Sequence, residues 1–568
     1  MEDREGQSLL REPLLSAEAT ESVGMAEEIP TSSDQNGAVI GQEQLMEETE
    51  TPWYKSPLQL IAMLSNYSTS YNVVNISMVI PILEFTIEGT TSEDAAASAS
   101  SLLAGMIVGQ LLGGYLGDSP VLGRMGALQL VMVLQVIASL GSAMIWSSLS
   151  RDAFFVWLAI FRFLLGVGAG GVYPLAAVLS AEQGNSQNAT STEPQQQSPK
   201  QVRRVVLTFS TQGLGFITVP LVTVPLLYMT TNLDIVWRVI LALGSIPGII
   251  MMAAQLWIHK QNSRHEPIPT TEQEESQPEN ENCNNDPQDN YDNNPQENQD
   301  EEEADPTVQN GLQENNNNNT DESPDADDGA LMRDIQIMEE QLRDNTGRWA
   351  SIQGEPMLFR KLLGTAGTWF LFDVLFYGNA LFQPIVIEAA FGSSSKGGDP
   401  IIELRETAIN SLILTAIALP GYGVAGLVMG RRICGILQTP KYIMLQGFAL
   451  MAVLYFAIGT NWSALKHTPV LLVLLYGMTF FAANNGPNTT TFILPSMVFS
   501  PECRSTLNGV SAAAGKLGAL TGATLFEPVA ETYGDSNVML ICSGIAVLAF
   551  VMTWWFVQMH PTSHRHEL

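Results

Sequence analysis

Long apolar runs limit this chain's folding more than any other feature of its sequence. Twelve can be read, at about 58–84, 95–117, 126–147, 152–180, 204–230, 235–258, 359–390, 406–430, 440–460, 468–498, 508–530 and 536–558. Each is near the roughly 20 residues that a helix needs to cross a hydrocarbon core. Within lipid the backbone must satisfy its own polar groups, so the runs are expected as helices. Pro81, Pro174, Pro220, Pro247, Pro384 and Pro420 interrupt several of them. Such breaks are tolerated where neighbouring helices or polar side chains re-satisfy the freed groups.

The layout predicts an all-α membrane protein with twelve transmembrane helices in two six-helix halves and a long disordered central cytosolic loop. The expected divisions are 1–56, an acidic N-terminal tail; 57–258, the first half; 259–357, the central loop; 358–560, the second half; and 561–568, a short tail. The chain is 46% hydrophobic and 15% charged, with a formal net charge of −32. That charge is localised. Residues 1–50 hold 13 acidic and 2 basic groups, and 261–357 hold 26 and 4, so the apolar body is nearly neutral. No basic surface of the kind nucleic acid requires is present in the composition. The four cysteines show no disulfide or metal spacing. The central interval is rich in Asn, Gln, Glu, Asp and Pro and buries too little apolar surface to offset its ordering entropy. A short amphipathic stretch, Leu331 to Leu342, is expected as a helix beside the membrane.

Basic residues favour the even-numbered connections, through Arg124, Lys200, Arg203, Arg204, Lys260, Arg264, Lys361, Arg431, Arg432, Lys441 and Arg504. The positive-inside rule then places both termini and the central loop in the cytosol. Leu9–Leu10 and Leu14–Leu15 follow acidic residues in patterns like dileucine sorting signals. They point to sorting adaptors as partners and favour a vacuolar, lysosomal or other endomembrane, with the plasma membrane as the alternative. The first 50 residues lack the apolar run of a signal peptide.

A charge inside a membrane helix is costly and marks a candidate site. Asp373 is central in the seventh run, and Trp369, Asp373 and Tyr377 recur at helical spacing, so an indole N–H, a carboxylate and a phenol share one face. Lys516 lies among small residues in the eleventh, with Asp373 or a substrate anion as its expected partner. Gln212 in the fifth run and Asn484, Asn485 and Asn488 in the tenth add amides. This set suits a small polyoxygen anion. A structural ion pair between Asp373 and Lys516 is the competing reading. No catalytic triad, phosphate-binding Gly loop or His/Cys ligand cluster is legible, so neither an enzyme, a cofactor nor a metal is expected.

Residues Arg162 to Leu175, reading Arg-Phe-Leu-Leu-Gly-Val-Gly-Ala-Gly-Gly-Val-Tyr-Pro-Leu, resemble the fourth-helix signature of major facilitator transporters. In particular they resemble the form found in the phosphate:proton symporter family. Gly486 to Phe492, Arg504 to Lys516, Trp369 to Tyr377, Trp237 to Gly248 and Gly114 to Arg124 resemble further segments of that family. The resemblance implies a major facilitator fold and inorganic phosphate as substrate. It puts Tyr173, Gln212, Trp369, Asp373, Tyr377, Asn488 and Lys516 at substrate positions and Asp118, Arg124 and Arg162 at gating or structural positions. It also brings departures. An acidic first-helix pattern is replaced by Thr69-Ser70-Tyr71-Asn72, a fourth-helix Asp by Val172, and an acidic position in the helix 8–9 region by Gly430. Proton transfer needs a titratable group, so the implied function is phosphate transport by alternating access, secondary active or facilitative, with weakened proton coupling. Protons and membrane lipids remain expected partners. The alternatives are a major facilitator carrier of an organic anion or sugar-like solute, which Val172 favours by making the pocket less polar, and a transporter-derived sensor or scaffold.

Overall fold

A computed structural model describes Tyr54 and residues 56–182, 199–265, 347, 349–391 and 399–557. The dileucine-like signals, the Leu331 to Leu342 stretch, most of the acidic loop and the C-terminal tail lie outside the described residues.

Twelve helical passes are seen among the described residues. In the first half they are α1 (Pro57–Val74, continued by Ile76–Thr86), α2 (Ser92–Gly117), α3 (Gly123–Ala143), α4 (Arg151–Glu182), α5 (Pro199–Met229) and α6 (Leu233–Leu243, then Ile246–His265). In the second half α7 begins at Leu358–Leu362, passes through a wide turn at Leu363–Gly367 and continues as Thr368–Phe391. It is followed by α8 (Pro400–Ala418, then Pro420–Val428), α9 (Pro440–Thr460), α10 (Pro469–Ala483, a wide turn at Asn484–Asn488, Thr489–Val498), α11 (Arg504–Tyr533) and α12 (Asp535–Phe556). Between α9 and α10 lies a short helical turn, Trp462–Leu465.

Local chemistry explains the ends. Thr91 caps α2, accepting from the Asp94 N–H at 3.3 Å, while the Thr91 N–H donates to Asp94 Oδ2 at 2.9 Å, a reciprocal capping box. Asp399 caps α8 ahead of Pro400, whose missing N–H costs nothing in the first turn. Between α8 and α9 the chain departs from an all-helical reading. Strands β1 (Arg432–Ile433) and β2 (Ile436–Leu437) pair antiparallel. Their two-residue turn, Cys434 and Gly435, has φ of 50° and 80°, the left-handed pair that a tight hairpin demands.

Among the described residues, nine helices are long and apolar enough to cross a membrane by length and hydropathy alone. α1, α7 and α11 are not among the nine. α7 and α11 turn buried polar groups inward, including Thr368, Asp373, Ser511 and Lys516, and α1 does the same with Gln59, Asn66 and Asn72. The interior is polar where these helices line it, and the apolar surface faces outward: Leu130, Ile137, Trp157, Val453, Phe456 and Trp554 are exposed. In water such a surface would demand cover; in lipid it is the required solvent-facing side.

The halves meet through α2 with α11, α4 with α10 and α11, and α5 with α8 and α10. At one end Asp118, just beyond α2, reaches across to the start of α11. Its Oδ1 accepts the Ser505 N–H at 3.2 Å and its Oδ2 accepts the Thr506 N–H at 2.7 Å and hydroxyl at 2.8 Å. A carboxylate at a helix N-terminus satisfies orphan donors and meets the positive end of the helix dipole. Glu182, closing α4, pairs with Arg124 and, at 3.4 Å, with Arg504 of the other half. Arg124 also donates to the Pro501 carbonyl at 3.2 Å. At the opposite end Arg405 of α8 donates twice to the Leu227 carbonyl, at 2.7 and 3.1 Å, and lies 4.2 Å over the Tyr228 ring.

Candidate functional site

The site forms where α7 and α11 come close enough for their backbones to touch. A Cβ placed on Gly518 would lie 2.1 Å from the Phe370 carbonyl oxygen, and one on Gly522 would lie 2.3 Å from that of Val374. Only glycine fits at these two points. One turn earlier, a Cβ on Gly515 would meet the Trp369 indole at 2.5 Å. The seam therefore sets the depth at which Lys516 meets α7.

Lys516 Nζ donates to Asp373 Oδ2 at 2.7 Å and to the Tyr377 hydroxyl at 3.0 Å. Its ammonium also lies 4.2 Å from the Tyr377 ring centre and 5.7 Å from that of Tyr173, which comes from the other half. The Trp369 indole N–H donates to the Asp373 carboxylate. The side chains of Lys516 and Asp373 are 4% and 2% exposed, so the ion pair is removed from solvent. Such a pair is weak evidence of stability, because desolvating two charges offsets much of their attraction, whereas removing one partner costs about 3–5 kcal/mol.

On the neighbouring wall Asn488 donates to the Tyr422 hydroxyl at 3.0 Å and to Asn484 Oδ1 at 2.8 Å, and Asn484 donates to the Ala418 carbonyl at 3.1 Å. Gln212 of α5 hydrogen-bonds the same Tyr422 hydroxyl. Tyr422 thus bridges the halves. It was not among the residues read from the sequence; its one local signal is the Pro420-Gly421 break that starts a new helical segment just before it. The backbone of α10 opens here: Gly486 adopts φ −111° and ψ −108°, followed by Pro487, so the two amide-bearing turns are set off from a regular helix.

Two polar atoms at this centre are buried without a partner: the Tyr173 hydroxyl and Gln212 Oε1. Buried polar groups are nearly always hydrogen-bonded, so these mark capacity for a ligand or water. The structure thus brings Tyr173, Gln212, Trp369, Asp373, Tyr377, Asn488 and Lys516 into linked contacts, with Tyr422 added. Asp118 and Arg124 lie at the end where α2 and α4 meet the start of α11. Arg162 sits elsewhere, within the first half, where its Nη1 donates to the Asn72 carbonyl at 3.3 Å and to Asn75 Oδ1 at 2.9 Å. Val172 packs with Leu128, Val131 and Leu175 in that half's own core. The substitution that favoured a less polar pocket therefore contributes to helix packing.

Beyond the transmembrane interior, Glu355 precedes α7 and is buried against the 10–11 connection. It accepts from Lys361 Nζ at 2.5 Å, the Ser500 N–H at 3.3 Å and the Cys503 thiol at 3.5 Å. Burial pushes its carboxyl up, but the Lys361 and Ser500 bonds outweigh that and hold it below the usual carboxylate range. Burial beside this carboxylate pushes the Cys503 thiol up to about 12, so it stays a donor.

The Major Facilitator Superfamily matches residues 60–493, and the sugar (and other) transporter family matches 437–560. A probable inorganic phosphate transporter 1-6 of Arabidopsis thaliana is 27% identical over 92% of this chain and 94% of its own length. A probable inorganic phosphate transporter 1-12 of Oryza sativa subsp. japonica is 28% identical over 90% and 91%. An inorganic phosphate transporter of Toxoplasma gondii is 27% identical over 89% and 73%. Among solved structures, the proton:xylose symporter XylE superposes with a TM-score of 0.56 at 17% identity, covering 88% of this chain and 95% of that one. A human organic anion transporter gives 0.54 at 15%, covering 89% and 100%. At those identities the likeness speaks for the fold alone, whereas the family match spans most of the sequence. The chain is a multi-pass membrane transporter and belongs to the major facilitator superfamily.

Proposed function

We propose that this protein carries inorganic phosphate by alternating access of its two halves around the Lys516 site. One observation carries the reading: a buried ammonium held by a carboxylate and a phenol, beside Tyr173 of the other half, whose hydroxyl is unpartnered, with a second unpartnered acceptor on Gln212 where it meets Tyr422. The names of the relatives support the same substrate.

A phosphate oxyanion would take the Lys516 ammonium from Asp373. Two unit charges about 4 Å apart attract by roughly 4 kcal/mol at an effective dielectric of about 20, enough to change the α7–α11 contact when the partner is exchanged. The Tyr173 hydroxyl and Trp369 N–H are donors for unprotonated oxygens. Gln212 Oε1 and the Asp373 carboxylate are acceptors, and they suit the protonated oxygen that phosphate keeps at neutral pH and sulfate lacks. Asp373 is the only carboxylate in this set, and Thr69 and Asn72 supply no titratable group, so coupling to protons is weak. Sorting to an endomembrane belongs to this reading through the two dileucine-like signals.

The test is phosphate flux in proteoliposomes for the parent, Asp373→Asn and Lys516→Ala, with and without a pH step. Saturable uptake that sulfate does not compete away, and that both variants lose, supports the site. Uptake of an organic anion or a sugar in place of phosphate overturns the substrate. Strict dependence on the pH gradient overturns weak coupling alone.

A further inference from the structure

α4 carries a second buried cation with a different environment. Arg162 is 0% exposed. It lies eleven residues before Tyr173 on α4, roughly 16 Å away at 1.5 Å per residue, so it is not part of the Lys516 site. Leu158, one turn earlier, belongs to an apolar cluster with Val79, Phe154, Trp237 and Ile240.

Arg162 has no carboxylate partner among the described residues; Nη1 is used on the Asn72 carbonyl and Asn75 Oδ1. Its Nε and Nη2 are buried without a partner, and so is Asn75 Nδ2. The Nη1 bond fixes the Asn75 amide with its oxygen toward the guanidinium, so the atoms of these two residues left without any partner are all donors. A guanidinium does not deprotonate in a protein, so this positive charge persists at every working pH. An isolated buried charge is costly unless paired. A water carries no charge to offset the guanidinium, and its oxygen accepts two hydrogen bonds, fewer than the three unpartnered donor groups.

We propose that Arg162 and Asn75 hold a small monovalent inorganic anion, chloride-like in size and charge, as a resident counterion of the first half. One negative charge balances the single guanidinium, and an ion without hydrogens matches three unpartnered N–H donor groups. The site is independent of what the Lys516 centre carries.

The experiment reads binding and thermal unfolding of the full chain in detergent, in phosphate-free sodium chloride, bromide or gluconate at equal ionic strength. The parent binds one radiolabelled chloride per chain by equilibrium dialysis. Chloride and bromide raise its Tm saturably, by about 3 °C near ten times Kd, and gluconate does not. Asn75→Asp supplies Arg162 with a built-in carboxylate; it binds no chloride and loses the halide response while holding its Tm. Inorganic phosphate added as a separate arm raises Tm in the parent and in Asn75→Asp alike, because that response belongs to Lys516. No chloride bound to the parent, or full chloride binding retained in Asn75→Asp, overturns the proposal. The parent measurement decides the matter even where the variant does not fold.

Discussion

Among the described residues two cations, Lys516 and Arg162, are buried, and their surroundings divide the labour of the bundle's halves. Lys516 stands at the seam of α7 and α11, paired with a carboxylate 2.7 Å away and faced by aromatic rings from both halves. Arg162 stands inside the first half, bonded to one carbonyl and one amide oxygen of α1. A paired ammonium can exchange its partner, because the carboxylate offers a state in which the site stays neutral without substrate. A guanidinium with no acid beside it has no such alternative and behaves as a fixed charge. A moving part is therefore expected at Lys516 and a static one at Arg162.

The largest effect that would break this contrast is at Lys516. Lys516→Ala leaves Asp373 buried without its counter-charge, and at about 3–5 kcal/mol the loss of phosphate flux should exceed about 100-fold in proteoliposomes. Retained flux would mean that the pair is only structural. Asp373→Asn sharpens the same point, since it removes the competitor for the ammonium rather than the ammonium itself. Equilibrium phosphate binding should tighten by about tenfold while net turnover falls by at least as much. Equal losses in both would put the carboxylate outside the exchange.

A smaller change is expected at the end where Asp118 joins α2 to α11. Asp118 binds two N–H groups and a hydroxyl of α11, so Asp118→Ala removes an inter-half cap worth about 1–2 kcal/mol. Spin labels placed across α2 and α11 should show the open population of that end rising by about tenfold. The smallest effect belongs to Glu355, a paired buried charge outside the transmembrane interior. Its carboxyl is held below the usual range, so its contribution is fully present at neutral pH and is lost as pH falls below the ordinary carboxylate range. Glu355→Gln should lower Tm at pH 7 by the equivalent of about 1 kcal/mol. The gap to the parent should close in acid; a gap that widens would reverse the sign of the linkage.

Legibility in the sequence followed physical range. The twelve passes could be read because hydropathy and helical period are local properties, and the one-face spacing of Trp369, Asp373 and Tyr377 is a consequence of helix geometry alone. α1 and α11 carry much of the polar interior, and their polar and small residues lower their hydropathy below that of most other passes. The short hairpin at Arg432–Leu437 escaped because two-residue strands leave no period to detect. Tyr422 escaped because one tyrosine after a helix break looks like any other until its hydroxyl is found between Asn488 and Gln212.

By itself the sequence determined that the chain lives in a membrane, where its helices run and which few ionisable groups lie deep within them, since these depend on transfer free energy and on neighbours three or four residues away. Which of those groups meet was decided only by tertiary structure. Lys516 and Asp373 are 143 residues apart, and their contact depends on glycines that let two helix backbones touch. That Arg162 faces one amide oxygen and one carbonyl rather than an acid likewise depends on how α1 packs on α4, which no local pattern encodes.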